Sequence, residues 1–400
     1  MKTLSSTSQL RGASFWRQNF NPIRTLSAES LTRHLDAFHA GNLRGAAMIW
    51  SSIERRDDVL QGVISKRKKA ISRLQWDILT MDNSEDAMQQ QKALRFFYNS
   101  IQCVNAADAN ERGGFSLLIK QMMDAVGKRY AVHEIVYRSH DSCRISETIG
   151  PLLSAEFRFV PLEFFENRTG KLRFLTNDND RDGIDLEDGS WLVTVGDGLM
   201  EACSIAYLFK HLPLRDWLVY CERNGMPGVK GVTNAMPGTP QWEIAKQAVE
   251  AFGAEFNALM TVGSDLQAID LSARGALPYP VLVDRMDRAM VALWCGGDLS
   301  TLSRANAVGA SLQGDERSLL ESDDAAMISE TLNAQVDRYV LGYLFGRQPI
   351  KAYVRLRPSQ HRDVLQELEI YERLMRLGIE VSEQDLRERF GVGLVERGES

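Results

Sequence analysis

Apolar positions recur at helical spacing through much of the first hundred residues. From about Ser30 to Leu74 the pattern is mostly helical, with Leu60, Ile64, Ile71 and Leu74 close to one face. Trp76, Ile78 and Thr80 then alternate, which predicts a short strand. Ser84 to Ile101 predicts a helix burying Leu94, Phe97, Tyr98 and Ile101. Phe115 to Val126 predicts another, with Gly127 placed to end it.

The middle of the chain changes character. Ala131 to Arg138, Phe157 to Pro161, Lys171 to Thr176 and Trp191 to Val195 are rich in β-branched and aromatic residues and predict a small, largely antiparallel sheet. Helical spacing returns from Gly198 to Asn224, where Pro213 removes a backbone donor and is expected to kink or divide the helix. Gly225 to Pro280 is rich in Gly and Pro at both ends and reads as an insertion with one helix, from about Pro240 to Phe256. In Val281 to Trp294, Leu282, Met286, Ala289, Met290 and Leu293 form an apolar stripe opposite Asp284, Asp287 and Arg288, and Gly296 and Gly297 follow. Asp323 to Phe345 and Arg362 to Leu377 predict two more helices, and Ser382 followed by Asp385 resembles a capping box opening a last one. The fold class this implies is α+β, mainly helical, with a small antiparallel sheet.

With 400 residues, 44% of them hydrophobic and 25% charged, the chain can bury a substantial core and divide into two or more lobes. Its longest apolar stretch, Leu199 to Leu214, is interrupted by Glu201, Lys210, His211 and Pro213, well short of the roughly 20 apolar residues that span a bilayer. Met1 to Asn21 is polar apart from Phe15, Trp16 and Phe20, lacks the features of a secretory signal and reads as part of a flexible arm, residues 1–29. Five cysteines at 103, 143, 203, 221 and 295 include no close pair at zinc spacing, which argues against a disulfide framework and for a reducing cytoplasm. The net charge of −6 gives no global attraction to nucleic acid and is compatible either with plain solubility or with a channel that merely surrounds a duplex.

Few motifs carry chemistry. Asp178, Asp180, Asp182 and Gly183 reproduce the first half of a calcium-binding loop, but its twelfth position is Gly189 and strands flank it, so a solvated hairpin loop is the favoured reading. Lys66, Arg67, Lys68 and Lys69, with Arg73 nearby, form the only dense basic run. It fits a solvated or intersubunit ion-pair face better than a DNA site, because four consecutive helical residues point around most of the circumference. Ser65 and Lys68 match a bare Ser-x-x-Lys spacing without its companion motifs. His133-Glu134 begins like a zincin motif, but Tyr137 stands at the second His. No nucleophile, base and oxyanion donors occur at recognisable spacing, so neither enzymatic activity nor a cofactor or metal is expected.

Lys210 to Gly228, KHLPLRDWLVYCERNGMPG, resembles the segment of Mu-type bacteriophage portal proteins in which a helix ends at an Arg-Asp-Trp, Glu, Gly and Pro pattern, here Arg215, Asp216, Trp217, Glu222, Gly225 and Pro227. The likeness continues through Trp242 to Asp270, ending in Ile269 and Asp270, and through Tyr279 to Asp298. It then includes GGDLSTLSRANAVGASLQGDERSLLESDDAAMISETLNAQVDRYVLGYLFG, with Asp298 and Ala310-Ser311 as departures from the usual pattern. Arg67 to Trp76 resembles the family's helix leading into a Leu-x-Trp strand, so the likeness covers roughly Ser30 to Gly391.

The resemblance implies the portal fold and a twelve-fold ring at one capsid vertex, through which double-stranded DNA is packaged and ejected. It divides the chain into a wing (30–197), a first stem helix (198–224), a clip (225–280), a second stem helix (281–295), a tunnel loop and wing helix (296–345) and a C-terminal, crown-side helical region (346–400). Trp217, Met286, Met290 and Trp294 are the expected ring-assembly residues of the stem, and Ser303, Arg304 and Asn306 are candidates for the tunnel loop. The implied partners are other copies of the chain, the terminase large subunit, a head-tail adaptor, the major capsid and scaffold proteins, and the DNA. The implied location is the virion, after assembly in the host cytoplasm. The alternative is a non-enzymatic DNA-binding protein using Lys66 to Lys69.

Overall fold

The computed structural model describes residues 22–144, 151–176, 180–225, 229–252, 257–261, 278–297 and 307–358, with 372, 373, 376 and 377. Three of the described helices begin where a short polar side chain satisfies a free amide. Ser27 caps α1 (Ala28–His39) by accepting the Ser30 amide. Asp57 ends α2 (Arg44–Arg56) and caps α3 (Asp58–Ser72) through the Leu60 amide, so one residue makes the break that periodicity alone did not reveal. After β1 (Gln75–Thr80), Ser84 caps α4 (Glu85–Ser100), which buries Leu94, Phe97 and Tyr98 as expected.

β2 (Gln102–Asn105) and β3 (Arg112–Gly113) lead into α5 (Phe115–Met122) and α6 (Asp124–Lys128). Here the structure corrects the expected single helix ended by Gly127. The run breaks at Met123, Gly127 lies inside α6, and the residue at positive φ is Arg129, at 73°. Gly127 serves packing instead: a Cβ there would lie 3.1 Å from the Trp294 ring and 3.2 Å from Met200.

β4 (Tyr130–Arg144), β5 (Pro151–Val160), β6 (Phe165–Glu166), β7 (Arg173–Phe174), β8 (Ile184–Asp185) and β9 (Trp191–Val195) complete the central part. The main sheet has the order β3-β2-β5-β4-β9 and is antiparallel except where β2 runs alongside β5. β6, β7 and β8 form a separate small antiparallel sheet. Helices cover one face of the main sheet through Phe97, Leu118, Ile135 and Phe157, and a smaller core of Leu43, Val132, Val160, Phe164 and Phe165 covers the other.

α7 (Met200–Gly225) continues undivided across Pro213. β10 (Val229–Thr233) and β11 (Asn257–Thr261) pair in parallel, with α8 (Pro240–Phe252) crossing between them and packing on both. The sequence reading had the helix of this unit but not its parallel strands; Ile269 and Asp270 lie outside the described residues. α9 (Tyr279–Cys295) ends at Gly296, which takes the left-handed conformation as its position suggests.

The last long helical run starts earlier than expected, as α10 (Ala307–Leu332), passes through a π turn at Asn333–Asp337 and continues as α11 (Arg338–Phe345). Residues 307–322, ahead of the predicted start at Asp323, are therefore helical, while Ser303, Arg304 and Asn306 lie outside the described residues. β12 (Ala352–Arg357) then pairs antiparallel with β1, from Gln75 opposite Arg357 to Thr80 opposite Ala352. This corrects the expectation of a wholly helical C-terminal region, because Ala352, Val354 and Leu356 alternate inward and need a strand to do so. The predicted helix opened by Ser382 lies outside the described residues, as does nearly all of the one from Arg362.

The π turn places two polar side chains that hold the fold together. Gln335 donates to the Val193 carbonyl at 2.8 Å and accepts its amide at 2.9 Å, standing in for a neighbouring strand along the edge of β9. Asp337 accepts the Tyr98 hydroxyl at 2.6 Å and the Val354 amide at 2.8 Å. Burial pushes its carboxyl up to about 7 despite those two donors. A raised folded-state pKa contributes stability that is fully present below the unfolded value, near 4, and lost as pH rises through 7. The Asp337→Asn variant is therefore expected to lose roughly 2–3 kcal/mol less than the parent between pH 5 and 8.5. Urea unfolding of both chains at each pH checks this. Taking the difference also cancels His133, whose buried imidazole is held down to about 3 and whose effect has the opposite sign.

Candidate assembly surface

α7 and α9 form an antiparallel pair whose register is fixed at seven-residue steps along α7. Cys203 lies beside Trp294, Lys210 reaches Asp287 at 2.6 Å, and the Trp217 ring stacks on Tyr279 at 6.5 Å. Two helical turns separate successive steps, so the same side of α7 faces α9 throughout.

The centre of the pair is ionic. Lys210 offers one ammonium to three carboxylates, Asp287 on α9, Asp57 at 2.8 Å and Asp58 at 3.2 Å. Asp57 uses its other oxygen for the Leu60 amide, so the residue that separates α2 from α3 also anchors α7. Burial works against the charge on Lys210, but the carboxylates outweigh it and raise its pKa. Burial raises Asp287, whereas the exposed Asp58 is lowered by the hydrogen bond from Lys210.

This pairing corrects the predicted face of α9. Asp287, expected on the polar outer side, points in toward Lys210, and Met290, Val291 and Trp294 are the buried positions. Met290 and Trp294, at 0% and 1% exposure, pack inside the subunit and have no surface to offer a neighbour. Met286 is partly buried against the same core, and Trp217 is half-buried at the far end of the pair. What the pair leaves uncovered is apolar: Ile205, Phe209 and Val219 on α7, with Phe209 53% exposed, and Val281, Leu282 and Leu293 on α9, with Val281 72% exposed.

The basic run also resolves differently from any of its sequence readings. Lys66 and Lys69 are exposed, but Arg67 and Lys68 point inward. Arg67 grips Asp324 of α10 through two bonds, at 2.8 and 2.9 Å, and donates to the Trp294 carbonyl at 3.1 Å, satisfying a carbonyl at the end of α9. Lys68 bridges Glu54 at 2.7 Å and Asp124 at 2.5 Å, and Lys128 contacts the same two carboxylates. Two cations and two anions thus form a buried neutral cluster joining α2, α3 and α6. Burial opposes all four charges; the mutual attraction nevertheless raises both lysines and lowers both carboxylates. With two of its four charges engaged inside the fold, the run presents no continuous basic face, and the DNA-binding alternative loses its main support.

The acidic loop lies between β7 and β8. Asp182 pairs with Arg173, Thr176 donates to Asp180 at 2.6 Å, and the Gly183 amide donates to Glu166 at 3.1 Å; Asp178 lies outside the described residues. His133 is fully buried on β4 against Phe159. Among the described residues, no group of three or more His, Cys, Asp or Glu is placed to hold a metal ion. No described helix is long and apolar enough to cross a membrane.

Comparison with solved structures finds the same fold in the virion of native gene transfer agent (GTA) particle. That match has a TM-score of 0.50 at 12% identity and covers 92% of this chain and 100% of that one. Chains from the neck of the native GTA particle computed with C12 symmetry and of the empty particle computed with C6 symmetry are similar at TM-scores of 0.49 and 0.47. Their identities are 14% and 13%, covering 92% and 86% of this chain and 100% and 94% of those. No curated protein matches. The family model for the portal protein of Mu bacteriophage matches residues 47–392, which takes in the chain from the first turn of α2 through α11, with the exposed faces of α7 and α9. The chain belongs to the Mu-type bacteriophage portal protein family.

Proposed function

We propose that this portal protein acts as one subunit of a closed ring, of about a dozen copies, at a single capsid vertex, and that double-stranded DNA enters and leaves the head through its centre. The subunit itself hydrolyses nothing. It serves as a passive conduit in the virion, assembled in the host cytoplasm. On this reading α7 and α9 are the two stem helices, the β10–α8–β11 unit belongs to the clip, and the main sheet with its covering helices is the wing. The clip is the surface for the terminase large subunit during filling and for a head-tail adaptor afterwards, while the wing faces capsid and scaffold proteins.

The observation that carries the ring is the uncovered apolar flank on each of the two stem helices. A ring needs heterologous contacts, in which two different patches meet and close by rotation. Ile205 and Phe209 on one side of the pair, with Leu282 and Leu293 on the other helix, supply two such patches per subunit. Placing a carboxylate in each, as in Phe209→Asp with Leu293→Asp, is expected to weaken each contact by roughly 3 kcal/mol, about a hundredfold in the subunit concentration at which rings form. Both positions are solvent-facing in the subunit, so the circular dichroism spectrum should be unchanged. Light scattering should report subunits where the parent gives rings; rings undiminished in the double variant would exclude these flanks as the contact.

A further inference from the structure

The β10–α8–β11 unit lacks what normally stabilises a parallel sheet. A sheet of two strands is marginal by itself, and parallel sheets are normally covered on both faces. Yet β10 and β11 pair in parallel from Val229 opposite Asn257 to Thr233 opposite Thr261, and among the described residues neither pairs with any other strand. Alternate residues of a strand point their amide and carbonyl to opposite sides, so each strand has one row of hydrogen-bonding groups facing its partner and a second row on its outer edge. Neither strand carries the usual devices that block further pairing. β10 reads VKGVT and β11 NALMT, with no proline, no break in register and Lys230 as the one charge. α8 packs on both strands, and Val232, opposite Met260 in register, is 60% exposed on the face that α8 leaves open.

Two different outer edges on one subunit are the kind of heterologous pair that a rotation can repeat. Resting on the ring reading, we infer that β11 of each subunit pairs in parallel with β10 of the next, so that these units close into one continuous cylinder of strands. Rotation about the ring axis keeps every strand pointing the same way along it, which is what parallel pairing requires. The dimensions suit a conduit: about two dozen strands at about 4.8 Å spacing and about 40° tilt close a cylinder roughly 48 Å across between backbones. A helix is about 10–12 Å thick, so a layer of α8 inside that wall would take up half of the channel, whereas outside it has room. α8 therefore stays on the outer face, and the face carrying Val232 lines the channel.

Cross-linking in rings of the full chain tests this, in a Cys221→Ser background that removes an exposed thiol. One chain carries Val232→Cys. A second, distinguished by a size tag, carries in turn Asn257→Cys, Ala258→Cys, Leu259→Cys, Met260→Cys or Thr261→Cys. Because the two cysteines sit on different chains, only pairing between subunits brings them within the about 4.4–6.8 Å between Cα atoms that a disulfide needs. Mild oxidation is expected to give the mixed disulfide dimer at one or two of the five positions in rings and at none in dissociated subunits. In rings of the parent, amides of residues 229–233 and 257–261 should also exchange at least tenfold more slowly than in dissociated subunits. Rings that give no cross-link at any of the five positions would overturn the inference and leave the ring reading intact, even where those amides are slowed, since another surface would then cover the strands. Failure to form rings even with scaffold and capsid proteins would overturn both.

Discussion

The Asp124→Ala variant is expected to lose about 3–5 kcal/mol of unfolding free energy, because it leaves the ammoniums of Lys68 and Lys128 buried with a single carboxylate, Glu54. The penalty comes from the uncompensated charge and not from the lost bonds as such. Two consequences follow. The remaining lysines shed a proton more readily in the folded variant than in its unfolded chain, so the variant should regain stability as pH rises toward 10, where the parent does not. Removing a cation as well, in Asp124→Ala with Lys68→Met, restores neutrality and should bring the double variant closer to the parent than either single change. Urea unfolding of the four chains measures both effects. An Asp124→Ala loss under about 1 kcal/mol would mean that water reaches the cluster.

Trp294→Ala is expected to have an effect of similar size, about 3–5 kcal/mol, by emptying the place where α9 meets α3, α6 and α7. The indole is 1% exposed, lies under the Arg67 guanidinium at 5.9 Å and fills the space that the missing side chain of Gly127 leaves. The Gly127→Ala change alone should overpack that contact and destabilise by about 1–3 kcal/mol. In the Trp294→Ala background it should instead be neutral or favourable, because the added methyl enters the void. Non-additivity of that sign, read by denaturation of the subunit, identifies Trp294 as core. Full subunit stability with impaired assembly would instead return it to the ring interface.

Much of the fold was legible where local pattern decides it. The faces of α3 and α4, the strands rich in β-branched and aromatic residues, and Gly296 at the end of α9 all follow from spacing and turn chemistry. Apart from helix breaks misjudged locally at Asp57 and Met123, the failures share one physical cause, interactions between residues far apart in the chain. Arg67 meets Asp324 across 257 positions, and nothing local distinguishes it from the exposed Lys66. Lys210 looked like an interruption of an apolar run and Asp287 like the polar side of α9, yet their mutual neutralisation turns both inward and shifts the buried face to Val291 and Trp294. β12 carries a clear alternation in Ala352, Val354 and Leu356, but it is short and its partner β1 lies at the other end of the chain. The family was readable from the order and spacing of its motifs, whereas which residues of α7 and α9 face outward was not. That depends on how α7 and α9 settle against α3.

The most direct test of the central claim is electron microscopy of the purified full chain, with the particle mass measured in the same sample and in the presence of scaffold and capsid proteins. The portal reading predicts closed rings of about a dozen subunits with a central channel. A compact monomer that forms no ring even with those partners would contradict it.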